Sequence, residues 1–250
     1  MLIVIDPTAR ETDGESVRIA RDVLSAGASE VKVCVLDGPW AMSRALARRG
    51  GRRVVVVGDD RALLSAVREL HRNGELGKSP LGMVPVGPAT AVPVSRALGL
   101  PTDAVAASRA VLTGTVRRLD VLVDDADGVV LGSLGIPAPP RPRSLAAPLW
   151  WRAKHPARQR LRVEADGRVL ADVDRPVAGV SVRAADGLAE VVVRSWTGAR
   201  AGDVHVRATS VTVSGAAFSY RANAVDSGPT RTRTWTVRPG ALRLTVPAQG

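Results

Sequence analysis

The sequence predicts an α/β N-terminal domain with a mostly parallel sheet, followed by a C-terminal all-β, sandwich-like domain. Three observations carry this. Up to about Val116, β-branched apolar runs alternate with segments of helical spacing, the order that builds a parallel sheet covered on both faces. Beyond Val116 the chain changes to short strands. Asp127-Gly128, Asp166-Gly167 and Asp186-Gly187 separate several of them, as hairpin turns do in sandwiches and barrels. The expected division is a nucleotide-binding-like domain over residues 1–116 and a β-rich domain over 117–250. The latter carries a Pro- and Arg-rich surface segment at 137–160.

The elements follow in order. Leu2–Ile5 reads as the first strand. Residues 16–26 place Val17, Ala20, Val23 and Leu24 at helical spacing, and Gly27 ends that helix. Residues 31–36 form the second strand, and 40–49 a helix stopped by Gly50-Gly51. Val54-Val55-Val56-Val57 is a buried parallel strand that runs into Gly58-Asp59-Asp60 and a helix over 61–70. A fourth strand covers 81–86, with helices over 92–98, despite Pro93, and over 103–112 behind a Thr102 or Asp103 cap. Strands in the second half are expected at 118–124, 129–134, 161–165, 169–173, 180–184, 190–194, 204–213, 234–238 and 242–246.

Composition narrows the function. The chain has 250 residues, a net charge of +11 and very few aromatics, so its core rests on Val, Leu, Ile and Ala. A basic surface suits phosphates, nucleic acid or anionic lipid, although an arginine-rich, lysine-poor composition is also what a GC-rich coding sequence yields. The single cysteine, Cys34, lies in an apolar strand and reads as buried and inert. His71, His155 and His205 are far apart, so no metal spacing emerges. No secretory leader or membrane-length apolar run is recognised. The expectation is a soluble, cytoplasmic protein, peripheral to the membrane at most.

Two glycine turns at strand ends attract attention: Gly58-Asp59-Asp60 and Val86-Gly87-Pro88. Ligands of open α/β sheets sit where strands end and helices begin, and helix N-termini offer free N–H groups to phosphate. Against this, Asp59 reads equally as a plain helix cap, and Asp6 as a strand-end turn residue.

Ile5-Asp6-Pro7-Thr8-Ala9, Val57-Gly58-Asp59-Asp60-Arg61 and Pro85-Val86-Gly87-Pro88-Ala89-Thr90 are followed by Arg96-Ala97-Leu98-Gly99-Leu100-Pro101 and Arg117-Arg118-Leu119-Asp120. Ala185-Asp186-Gly187-Leu188 and the ending Val237-Arg238-Pro239-Gly240-Ala241-Leu242 come last. In this order they resemble the diacylglycerol kinase catalytic-domain family, lipid kinases sharing an architecture with NAD kinases. The resemblance implies ATP and magnesium as cofactors and Asp6, Thr8, Gly58, Asp59, Asp60, Gly87 and Thr90 as the nucleotide side of the site. It also shows departures. The family's Gly-Gly-Asp-Gly-Thr has Asp60 and Arg61 in its last two places, putting a negative charge where phosphate should sit. Its Thr-Gly-Asn-Asp group is replaced by Pro88-Ala89-Thr90-Ala91. The stretch bearing its proposed catalytic carboxylate reads Gly135-Ile136-Pro137-Ala138-Pro139, and its late Asp-Gly-Glu reads Asp226-Ser227-Gly228.

The expectation is a diacylglycerol kinase-like protein that is catalytically impaired and acts as a binding or regulatory protein, with a nucleotide or lipid head group as ligand. An active ATP-dependent lipid kinase is the alternative. A binder of nucleic acid or anionic membrane through Arg141, Arg143, Arg152, Lys154, Arg158 and Arg160 is a third. No catalytic base is identified.

Overall fold

The computed structural model describes residues 1–38, 40–137, 158–196 and 202–248. The Pro- and Arg-rich segment, with Trp150-Trp151 and the basic residues from Arg141 to Lys154, lies outside the described residues. The chain divides into two compact units, Met1–Leu119 with Gly240–Gly250, and Asp120–Pro239.

The first unit is the α/β unit. Its elements are β1 (Leu2–Ile5), α1 (Pro7–Thr12), α2 (Gly14–Ala26), β2 (Lys32–Val35), α3 (Ala41–Ala47), β3 (Val54–Gly58), α4 (Asp60–Arg72), β4 (Gly82–Pro85), α5 (Pro93–Ala97) and α6 (Ala104–Thr113). The strands form a parallel sheet in the order β2-β1-β3-β4, with Leu2 beside both Lys32 and Val54 and Val55 beside Gly82. Burial on both faces explains the unbroken apolar runs of β1, β3 and β4. On one face Ile3, Ile5, Val55, Val57 and Val84 pack with Val17, Ala20 and Leu24 of α2 and Ala107 and Val111 of α6.

Helix α1 was absent from the expected elements; it is short, with Pro7 at its first helical position. Cys34 departs from its expected burial. β2 is the edge of the sheet, so Val33 and Val35 are 41% exposed and Cys34 is only half-buried.

The chain end returns to this unit. Leu81 N–H donates to Arg243 O at 2.8 Å, and Thr245 N–H donates to Leu81 O at 2.9 Å. The Arg53 guanidinium reaches Val111 O at 2.7 Å and the buried Thr245 hydroxyl at 2.6 Å. A cut of the sequence at residue 116 leaves this returning strand with the β-rich part.

The second unit is antiparallel. Strands β5 (Thr115–Asp124), β6 (Val129–Val130), β7 (Ser133–Ile136), β8 (Leu161–Ala165), β9 (Arg168–Ala171), β10 (Val177–Ala185), β11 (Leu188–Ser195), β12 (Val204–Ala208), β13 (Ser210–Ala222) and β14 (Val225–Val246) build it, β5 and β14 running on into the first unit. The sheet branches at β13, whose first half pairs with β8 while Arg221 and Ala222 pair with β7. The branches enclose one core of Val163, Val182, Val191, Val211, Val213, Phe218, Tyr220 and Trp235. Tyr220 and Trp235 meet edge to face, ring centroids 5.2 Å apart.

Expected and observed strands differ at three places, the first being residues 129–134, which divide into β6 and β7 at Leu131-Gly132. Residues 204–213 split at Thr209, because the Asp166 carboxylate accepts from Thr209 N–H (2.9 Å), Thr209 Oγ1 (2.7 Å) and Ser210 N–H (2.8 Å). Residues 234–238 and 242–246 are parts of one strand, β14. The turn entering β14 uses Asn223 and Ala224 at φ 51° and 61°, a left-handed pair that lacks the glycine by which such turns are recognised.

Candidate functional site at the β1, β3 and β4 strand ends

The site begins with two strand ends drawn together. Asp6 N–H donates to Val57 O at 2.9 Å. A Cβ on Gly58 would sit 2.7 Å from Asp6 Cβ and 3.0 Å from Ala62 Cβ, so only glycine permits this approach. We predict that Gly58→Ala costs about 2 kcal/mol, read as a shift in urea midpoint. An unchanged midpoint would show that the strand ends yield freely.

The approach sets Asp6 beside Asp59. Burial, then the charge of Asp59, holds the Asp6 carboxyl above its ordinary range. Arg61 and the Thr8 and Ala9 amides pull the other way, though neither amide makes a capping bond. A carboxyl with a raised folded pKa contributes stability that is full below its unfolded pKa and is lost as pH rises through the folded value. Asp6→Asn therefore stabilises the protein at neutral pH, and the gain fades as pH falls into the carboxylate range. Denaturant titrations at several pH values check this; a gain that persists at low pH would contradict it.

Asp59 caps α4. Its Oδ1 accepts from Arg61 N–H at 2.8 Å and from Ala62 N–H at 3.1 Å, while its carbonyl accepts from Leu63 N–H at 3.2 Å. Asp60 N–H donates to Ala91 O at 3.1 Å. Of the N–H groups that a helix start leaves unpaired, those of Asp60, Arg61 and Ala62 are thus bound within the protein, and Leu63 N–H makes the helix's own first bond.

Asp60 does something the sequence did not disclose. It is 5% exposed. Its Oδ2 accepts from Val94 N–H at 2.5 Å, and its Oδ1 accepts from Ser95 N–H at 2.9 Å and the Ser95 hydroxyl at 2.6 Å. It pins the start of α5 to the start of α4. The expected negative charge in a phosphate seat is therefore corrected, because this carboxylate is enclosed among α5 donors. Arg61 does not pair with it either; the guanidinium is 88% exposed and comes only to 4.0 Å from Asp59 Oδ2. The available sign was Pro93 at the start of a helix whose flanking Val92 cannot cap it, so the cap had to come from elsewhere.

Gly87, at φ +138°, turns the chain after β4, and a Cβ there would lie 3.9 Å from Asp59 Cβ. Asp6, Gly58, Asp59, Asp60 and Gly87 are thus brought together. Thr8 and Thr90 are exposed, Thr8 on α1 and Thr90 in the turn that Ala91 N–H closes on Pro88 O at 2.8 Å. No group of three or more metal-ligating side chains occurs among the described residues.

In the second unit, β7, part of the stretch where the sequence resemblance looked for a base, ends Gly135-Ile136 with no titratable side chain. The neighbouring carboxylates have other work. Asp124 Oδ1 accepts from Ala126 N–H (2.9 Å) and Gly128 N–H (2.7 Å). Asp125 binds Arg233 at 2.7 Å, and Asp127 holds a turn at φ 59°. Asp226 is paired with Arg221 at 2.6 Å.

Residues 1–123 match the family model described as the diacylglycerol kinase catalytic domain. No curated protein matches the chain. Among solved structures, a diacylglycerol kinase from Bacillus anthracis str. Sterne superposes with a TM-score of 0.75 at 15% identity, covering 98% of this chain and 96% of that one. A crystal structure provisionally described as a diacylglycerol kinase from the same organism gives 0.76 at 15% identity, with the same coverage. These likenesses establish a shared two-domain fold.

Proposed function

For a chain whose residues 1–123 match the diacylglycerol kinase catalytic-domain model, we propose a diacylglycerol kinase-like protein with impaired phosphoryl transfer that acts as a binding or regulatory protein. One observation carries this: the Asp60, Arg61 and Ala62 N–H groups at the start of α4 are already taken. Phosphate seats at helix N-termini work through free amides and a positive dipole end. Here the Asp59 carboxylate and the Ala91 carbonyl hold those amides. ATP and magnesium are the cofactors the family implies, but a phosphate on this turn would have to displace a carboxylate from its own helix. The residues present do not fit that mode, and no transfer step is derived through them. The lack of a titratable group on β7 supports the same reading, since a general base must reach the hydroxyl it activates.

A second reading, an active lipid kinase, is favoured by the raised pKa of Asp6 beside Asp59, since perturbed carboxyls gather at catalytic sites. Transfer of labelled γ-phosphate to diacylglycerol in mixed micelles separates the two. We predict no turnover above background. Turnover abolished by Asp59→Ala, in a protein still folded by circular dichroism, would establish the active kinase.

A further inference from the structure

The parallel sheet ends at β2, which pairs with β1 alone. Lys32 N–H donates to Met1 O at 2.9 Å and Leu36 N–H to Ile5 O at 3.0 Å. Alternate residues of a parallel strand bond to the same neighbour. The N–H and C=O groups of Val33 and Val35 therefore face away from β1, along an open edge that can template a further strand.

Each face of the sheet has a groove at this edge. Register sets Val33 beside Ile3 and Val35 beside Ile5, and Ile3 and Ile5 face α2. On that face Val33 and Val35 line a groove with Ile5 and Val17. Lys32 and Cys34, beside Leu2 and Val4, lie on the opposite face. There Leu2, Lys32, Cys34, Ala45 and Arg48 line a second groove, against α3. A strand laid along β2 would send alternate side chains into the two grooves.

The charges select those side chains. The floor of the α2 groove is apolar, and its Arg18 and Arg21 are held by Glu15 and Asp22. In the α3 groove Arg44 is held by Asp37. Lys32 and Arg48 are exposed there and pair with no carboxylate among the described residues. A second copy of β2 is a poor match, because Lys32-Val33-Cys34-Val35 brings a further cation and no carboxylate.

We propose that the β2 edge binds an extended peptide segment of a partner protein, with side chains alternating between apolar and acidic, as a fifth strand of the sheet. The apolar side chains enter the groove beside Val17, the acidic ones meet Lys32 and Arg48, and the backbone pairs with Val33 and Val35. None of these residues belongs to the strand-end site, so the proposal goes beyond the impaired-kinase reading and does not depend on it.

Fluorescence anisotropy of a labelled peptide, acetyl-Glu-Val-Glu-Val-Glu-Val-Glu-amide, with the full chain tests it. The peptide binds, and added salt weakens the binding. Lys32→Gln combined with Arg48→Gln loses on the order of tenfold in affinity, the worth of two exposed charge pairs. Val35→Pro removes an outward N–H, which an edge strand tolerates, and also loses about tenfold. Far-UV circular dichroism and thermal melts establish that the variants are folded. Two further peptides leave the protein unaltered: of versions N-methylated at the valines or at the glutamates, one loses binding and the other keeps it. Four outcomes would overturn the proposal. They are no saturable binding up to about millimolar peptide, equal binding of the Lys-Val counterpart, equal binding of the two methylated peptides, or a peptide-free dimer that Val35→Pro dissolves. The last would assign the edge to a second copy. The micelle transfer assay reads the kinase question separately, so neither result decides the other.

Discussion

Asp60→Ala destabilises the protein by about 3 kcal/mol, a large effect for a residue beside a surface turn. The estimate follows from what the substitution strands: Val94 N–H, Ser95 N–H and the Ser95 hydroxyl all donate to this carboxylate. Ser95 is fully buried, so its two donors cannot turn to water, and unpaired buried donors cost about 1–3 kcal/mol each. Partial offset comes from removing a buried carboxylate that has no cationic partner among the described residues. Asp60→Asn keeps one acceptor oxygen and loses about half as much. Urea unfolding measures both. An alanine variant within about 0.5 kcal/mol of wild type, the range of ordinary surface changes, would show that the α5 start finds other partners. A further consequence is positional. Ala91 O accepts from Asp60 N–H, so loosening α5 frees an amide at the start of α4. Asp60→Ala therefore binds inorganic phosphate no worse than wild type, although it is less stable.

Trp235→Ala costs about 4 kcal/mol. Trp235 is fully buried in the core of the β-rich unit and carries the edge-to-face contact with Tyr220. The chain has one Phe and one Tyr, both already packed in this same core, so the void is filled only if one of them leaves its own place. Trp235→Phe behaves differently. The indole Nε1–H is buried without an acceptor among the described residues, and phenylalanine removes that unpaired donor along with the lost volume. We predict a cost of only about 1 kcal/mol for it. A Phe variant as damaging as the Ala variant would mean that the indole N–H has a partner that matters.

The parallel sheet and its helices were legible because burial on both faces leaves an unmistakable run, Val54-Val55-Val56-Val57, and because Gly58-Asp59 followed by helical spacing announces a capped helix. The Asp59 cap was open to sequence reading for the same reason: its partners, Arg61 and Ala62, are two and three residues away. Asp60 was not. Its partners lie 34 and 35 residues further on, and no local spacing encodes that contact, so a carboxylate that anchors α5 read as one facing a ligand. Cys34 misled in another way. Lys32-Val33-Cys34-Val35 has the composition of a buried strand, and composition does not say which strand of a sheet is its edge. In the β-rich half, Asp-Gly pairs marked the turns at Asp166 and Asp186, both left-handed at φ 46° and 50°. The turn at Asn223-Ala224 carried no such mark. Its Asn is fixed instead by side-chain bonds to Leu131 N–H and Val129 O, 92 and 94 residues away in sequence.

The central claim is that the first-turn amides of α4, those of Asp60, Arg61 and Ala62, are satisfied from within and are not offered to a phosphate. Isothermal titration of the full chain with ATP, with and without magnesium, tests it most directly. The account predicts no saturable heat below about millimolar ATP, that is, binding no stronger than about −4 kcal/mol, whether or not magnesium is present. Micromolar ATP binding would contradict it, because the turn would then be giving up its own cap to hold the nucleotide.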